Sequence, residues 1–127
     1  MSFSNTYETN ILKWAFTADS VTRPTVWYVG LFTANPGETG GGATEITGNN
    51  YSRIAVTLSV SGDTASNTSA VEFPTATGSW GTVTHAAIFD HATAGSQIAY
   101  ASLSASRAID TGDVLRFPAG DIDVTLD

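Results

Sequence analysis

"TVWYVGLFT", residues 25–33, is apolar at nearly every position. In an extended chain successive side chains point to opposite sides, so this stretch is apolar on both faces and reads as a strand buried on both. Outward from it the chain repeats short β-type runs. Residues 53–60, "RIAVTLSV", alternate, with Ile54, Val56, Leu58 and Val60 inward and Arg53, Thr57 and Ser59 outward. "SAVEF" (69–73), "WGTVTHAAIFD" (80–90), "QIAYASL" (97–103) and "DVLRF" (113–117) follow, each bounded by Gly, Pro, Ser or Asn. The last run, "DIDVTLD" (121–127), alternates strictly, with Ile122, Val124 and Leu126 on one face. Seven or eight strands at this spacing predict an all-β fold, an antiparallel β-sandwich or jelly-roll, with a barrel as the alternative. At 127 residues with no internal repeat, the chain is one domain, 1–127. A domain of that size buries roughly two-thirds of its unfolded surface.

Upstream of the strands the period changes. Asn5 followed by Glu8 makes a capping-box-like start, and Tyr7, Ile11 and Ala15 then share one helical face, with Leu12 and Phe16 beside them. Asp19, Ser20 and Pro24 end the pattern, which predicts one short helix over about 5–18. A helix this short is marginal alone and has to pack on something. The residues before it need an anchor, on this domain or on a neighbouring chain.

Between the first two strands lies "NPGETGGGATEITGNNYSR" (35–53), with five glycines and little to bury. A phosphate-binding loop needs G-x-x-x-x-G-K-[ST] before a helix; this segment has no Lys and a strand follows it. As a linker it would have to separate two domains, and nothing before it is large enough to be one. It is therefore a long inter-strand loop, 34–52, of a length that usually has a function. The expectation is a contact arm reaching a neighbouring subunit through Asn35, Pro36, Gly37, Glu38, Thr39, Gly40, Gly41, Gly42, Glu45, Asn49 and Asn50. Removing residues 38–47 should then spare the fold. The other reading is a self-packed surface loop.

Twelve acidic residues outnumber the five basic ones, Lys13, Arg23, Arg53, Arg107 and Arg116, for a net charge of -7. The basic residues form no local patch, so nucleic acid is not an expected partner. The absence of cysteine excludes a disulfide framework and any thiolate site. No apolar run approaches the ~20 residues of a membrane span, and no signal-peptide pattern opens the sequence, so a soluble product of the cytosol is expected. The 13% charged fraction, with abundant Thr, Ser, Ala and Gly, suits repeated packing against other subunits.

Candidate catalytic and metal-binding groups are few. "AIDTGD" (108–113) resembles the catalytic turn of aspartic proteases, but too little chain follows it and Asp113 would disturb a shared-proton pair. It reads as a tight turn between strands. His85, Asp90 and His91 lack a nucleophile motif or zinc-ligand spacing and read as ordinary strand and surface residues. Asp121, Asp123 and Asp127 share the polar face of the last strand, where alternate side chains stand about 7 Å apart, and read as an acidic edge rather than a cation site. The sequons at Asn50 and Asn67 carry little weight without a secretory signal. Trp14, Trp27 and Trp80 read as core or interface anchors. No catalytic, cofactor or metal residue is expected.

Taken together, "YVGLFT" (28–33), a Gly/Glu-rich loop ending in "YSR" (51–53), "FPTAT" (73–77), "WGTVTH" (80–85) and "AGDIDVTL" (119–126) resemble a group of small virion proteins of tailed bacteriophages. The resemblance runs from about residue 11 to the end. It implies a non-enzymatic protein of the virion, made in the host cytoplasm, with no catalytic residues to carry over. Members of that group are described as tail-fibre, capsid-associated or simply virion proteins. The leading expectation is a capsid cement or decoration protein that binds the major capsid protein and sister copies as a homo-trimer or dimer. The alternative is a tail-fibre or receptor-binding module, in which Trp80 would serve a ligand.

Overall fold

A computed structural model of the protein describes residues 1–126. The element order is β1 (Ser2–Phe3), α1 (Asn5–Phe16), β2 (Tyr28–Phe32), β3 (Ile54–Ala55), β4 (Leu58–Ser61), β5 (Thr64–Asn67), β6 (Val71–Glu72), β7 (Gly81–Phe89), β8 (Gln97–Ile109), β9 (Arg116–Phe117) and β10 (Asp123–Thr125). Every pairing is antiparallel. The strands form sheets of five (β1-β8-β7-β2-β3), three (β10-β5-β4) and two (β6-β9). The fold is thus mostly β with one short N-terminal helix, and three sheets around a shared core are compatible with the predicted sandwich. No helix of the described residues is long and apolar enough to cross a membrane.

The register shows why β2 is apolar on both faces. Val29 stands opposite Ile88 and Leu31 opposite Ala86, while Ile88 stands opposite Ala99 across β7–β8. These residues point into the main core with Val56, Val71, Phe73, Trp80, Val83, Leu115, Ile122 and Val124. Aromatic rings hold its centre: Trp80 meets Tyr51 edge-on at 5.4 Å, and Phe73 meets Phe117 edge-on at 6.3 Å. On the other face of the same sheet Phe32, Ala87 and Phe89 form a second cluster, packed by Ala43 and Tyr100. Both faces are covered, as the sequence pattern requires.

Several elements differ from their sequence reading. "RIAVTLSV" is two strands. Ile54 pairs with Val29 in the five-stranded sheet, whereas Leu58 pairs with Asn67 in the three-stranded one. Val56 is 7% exposed, but Val60, expected inward, is 75% exposed, although Leu58 two residues earlier on the same strand packs against the core. The strand β5 has no apolar alternation to announce it. It forms because Gly62, at φ +61°, and Asp63 reverse the chain and lay Thr64–Asn67 between β4 and β10. β8 runs on to Ile109 through the polar "SASRA", held by pairing with Gly81–Val83.

At the two ends, tertiary contacts refine the sequence reading. The helix is capped by Ser4, not Asn5: the Ser4 hydroxyl accepts the Tyr7 N–H at 3.4 Å and donates to the Gln97 carbonyl at 2.5 Å. The preceding residues are anchored on this domain, Ser2 opposite Tyr100 and Phe3 opposite Ala99. Near the other end Ile122 and Val124 are buried, but Leu126 is 54% exposed. Asp127, assigned above to the acidic face, lies outside the described residues.

Candidate functional site

The glycine-rich segment is a cover laid over the second face of the five-stranded sheet. Ala43 packs on the Phe32–Phe89 cluster and Glu45 bridges to Phe32, while the Ile46 N–H donates to the Leu31 carbonyl at 3.1 Å and its side chain is buried in the main core. The Glu45 carboxylate accepts from Arg53 through Nη2 at 2.7 Å and Nε at 3.0 Å, and from the Tyr51 hydroxyl at 2.5 Å. The Arg53 guanidinium lies 3.5 Å above the Phe89 ring, and its Nη1 donates to the carbonyls of His91 and Ala94. Gly30 makes this possible: a Cβ there would sit 2.9 Å from both the Glu45 carboxylate and the Phe89 ring. Burial and the hydrogen bond to Glu45 push the Tyr51 phenol far above its ordinary pKa.

Most of the residues assigned to a partner-contact arm are used within the chain. Pro36 is buried, and its carbonyl accepts the Gly42 N–H at 2.7 Å. At Gly42 a Cβ would meet the backbone oxygens of Asn35 and Pro36 at 2.8 Å. The Gly37 carbonyl accepts from Gln97, and Gly40 lies against the same side chain. Asn49 donates to the Ser79 carbonyl and Asn50 to the Thr75 carbonyl. Asn35, Glu38, Thr39 and Gly41 are exposed; the Asn35 and Thr39 side chains bond only within the segment, and the Glu38 carbonyl accepts the Asn5 N–H. Trp80, assigned a ligand role in the fibre reading, is a core residue instead: it is 4% exposed and its indole N–H donates to the Asn49 carbonyl at 2.9 Å.

The titratable candidates fall into separate places. Asp90 accepts the Tyr7 hydroxyl at 2.8 Å, the Ser96 N–H at 2.8 Å and His91 Nδ1 at 2.7 Å. Burial would raise the Asp90 pKa, but these three hydrogen bonds outweigh it and hold the carboxyl below its ordinary value. The Tyr7 phenol is pushed up by burial and by Asp90. His85 instead bonds Thr84 through Nδ1 at 2.8 Å. Asp110 and Asp113 close the expected turn, the Asp113 N–H donating to the Asp110 carbonyl and the Asp110 N–H to the Asp113 carboxylate. Asp123 accepts from the Ser66 hydroxyl. Among the described residues no three His, Asp or Glu side chains converge as a metal site would need.

A further opening in the surface lies elsewhere, where the β7–β8 ladder is irregular. Val83 stands opposite Arg107 but His85 opposite Ser102, so residues 103–106 bulge away from Thr84 alone. Bulges of this kind re-aim side chains and are frequent next to binding sites. Here the bulge forms one wall of a cleft of about 360 Å³, whose other wall is the 115–123 segment. Leu103, Leu115, Phe117 and Ile122 make its apolar lining, and Ser102, Ser104, Arg107, Arg116, Asp121 and Asp123 its polar one. Among the described residues the ion pairs are Arg53–Glu45 and His91–Asp90, which leaves both cleft arginines unpaired. The sequence reading missed this site because neither wall carries a catalytic or ligand-binding motif, and the bulge that opens the cleft exists only in the strand register.

These features define a small β-rich structural domain with an open surface cleft. Residues 2–125 match the sequence model of a family described as "Podophage GP4 fiber I protein gp80", and the chain belongs to that family. It is therefore a bacteriophage virion structural protein of the fibre type. The family description names a fibre and makes no reference to a capsid lattice, so of the two readings drawn from the sequence it supports the fibre. No curated protein was found to match the chain.

Proposed function

We propose that this protein is a receptor-binding module of a phage fibre, and that the cleft between β8 and the 115–123 segment holds a saccharide of the host surface. The observation that carries the reading is the make-up of that cleft. Its volume falls within the range of small-ligand sites, and it combines an apolar wall with a few polar groups of both kinds. A saccharide presents an apolar ring face beside hydroxyls that both donate and accept. Phe117 and Leu103 suit the first, Arg107 and Arg116 donate, and Asp121 and Asp123 accept. The exposed residues of the cover, Asn35, Glu38, Thr39 and Gly41, are where we place contact with a neighbouring virion subunit.

The test is binding of the purified protein to host cells and to their isolated surface polysaccharide. A charge-assisted hydrogen bond contributes about 1.5–3 kcal/mol, so replacing Arg107 or Arg116 with Ala should weaken binding about tenfold or more each. Equal binding by the double variant, or no retention of host polysaccharide by the intact protein, would remove this function from the cleft.

A further inference from the structure

Helix α1 is not held by the domain in the way its sequence demands. It has no buried side chain, and Leu12, Trp14 and Phe16 are 58%, 71% and 82% exposed. Its second half, residues 11–16 ("ILKWAF"), is apolar at every position except Lys13. A helix that is apolar all round is normally enclosed, and one of 12 residues is marginal in water without packing. The domain grips only its beginning: the Ser4 cap, the Asn5 N–H on the Glu38 carbonyl, and the Tyr7 hydroxyl on Asp90.

Two different apolar surfaces flank the free half. At about 100° per residue, Leu12 and Phe16 lie about 40° apart and form a knob on the side away from the domain. Trp14 lies about 160° round the axis from either of them. There, with Ile11, Val21 and Pro24, it lines an open groove of about 300 Å³ between the helix and the returning chain. A knob and a groove are thus on opposite sides of one element, the arrangement a head-to-tail contact between identical chains requires. Charge points to the same partner. Residues 1–26 carry Glu8 and Asp19 against Lys13 and Arg23, so 2 - 2 = 0, while residues 27–127 carry 3 basic and 10 acidic residues, 3 - 10 = -7. Like copies repel through their acidic bodies, and a contact made by the neutral N-terminal residues adds no net repulsion to it.

We propose that α1 is the self-association element of this protein: Leu12 and Phe16 of one copy enter the groove of Ile11, Trp14, Val21 and Pro24 on the next, around a closed ring. Because the two surfaces face opposite ways, a two-fold axis cannot satisfy both contacts at once, and the ring holds three or more copies. The inference stands apart from the saccharide cleft, since it uses none of its residues.

Sedimentation equilibrium of the full chain over a wide concentration range is the test. The wild type should run at three or more times the 13.2 kDa chain mass. Leu12→Ser with Phe16→Ser should fall to one chain mass while the β body keeps its cooperative urea unfolding, and so should Trp14→Glu. The first variant keeps its groove and the second its knob, so mixing the two should restore one contact and give a species of two chains. A monomeric or strictly dimeric wild type, variants that stay assembled, or a mixture that stays monomeric would overturn the proposal. A monomeric wild type would leave α1 to a different virion protein.

Discussion

Arg53 shows how much of the fold can hang on one side chain. Its guanidinium pairs with Glu45, stacks on Phe89 and ties down two carbonyls of the β7–β8 turn, while the pair itself is largely buried. Arg53→Ala leaves the Glu45 carboxylate buried without its partner, and a broken buried pair costs about 3 kcal/mol or more. Arg53→Lys should rescue little of this, because an ammonium cannot reproduce the fork geometry. Urea unfolding of the three proteins measures both effects. Asn67 is a second such residue: 3% exposed, it donates to the Ser69 and Pro118 carbonyls and accepts the Ile122 N–H. Asn67→Ala should cost about 1–3 kcal/mol, read from the same denaturation curves. The sequence marked both positions, Arg53 as an outward strand residue and Asn67 as a sequon. Neither reading reveals a bond to a residue many positions away.

At the scale of elements, the cover and the helix make opposite kinds of attachment. Excising residues 38–47 removes Glu45 and Ile46 and uncovers Phe32 and Phe89. The excised protein should lose cooperative unfolding and near-ultraviolet circular dichroism, against the expectation that this deletion spares the fold. The start of α1 is instead docked by the Tyr7–Asp90 bond, and both groups make that docking depend on pH. Asp90 has its folded pKa depressed, so its contribution is present above the unfolded value of about 4 and is lost as pH falls through the folded value. Tyr7 has its folded pKa raised, so its contribution is present below the unfolded value of about 10 and is lost as pH rises through the folded value. Protection of the α1 amides, measured against the intrinsic exchange rate at each pH, should therefore be greatest between these limits, and Asp90→Asn or Tyr7→Phe should lower it within that window.

For the whole molecule, the separation of a neutral N-terminal end from a body of charge -7 predicts how assembly responds to salt. Added salt screens the repulsion between bodies and leaves the apolar contact at α1 intact, so raising ionic strength from a low value should strengthen self-association. Sedimentation at several salt concentrations reads this directly. An assembly held by ion pairs would weaken instead. The fibre family, the charge separation and the unpaired helix are all whole-chain properties; the sequence reading held the fibre only as the alternative to a capsid cement protein, and the family match favours it. The helix was legible as an element, but its sequence places Leu12 and Phe16 beside the packing face. Only the fold shows that the domain ends before it can enclose them.

Sequence alone determined the all-β class, the single N-terminal helix, the double-sided burial of β2 and the Asp110–Asp113 turn. Each of these follows from local periodicity or from turn chemistry within a few residues. Tertiary structure alone decided that residues 54–61 divide between two sheets, that the glycine-rich segment is a cover, and that a cleft opens beside the β8 bulge. Backbone hydrogen bonds, the Arg53–Glu45 ion pair and a shift in register produce these features. Interactions of that kind depend on which segments meet in space, and they leave no period in the chain.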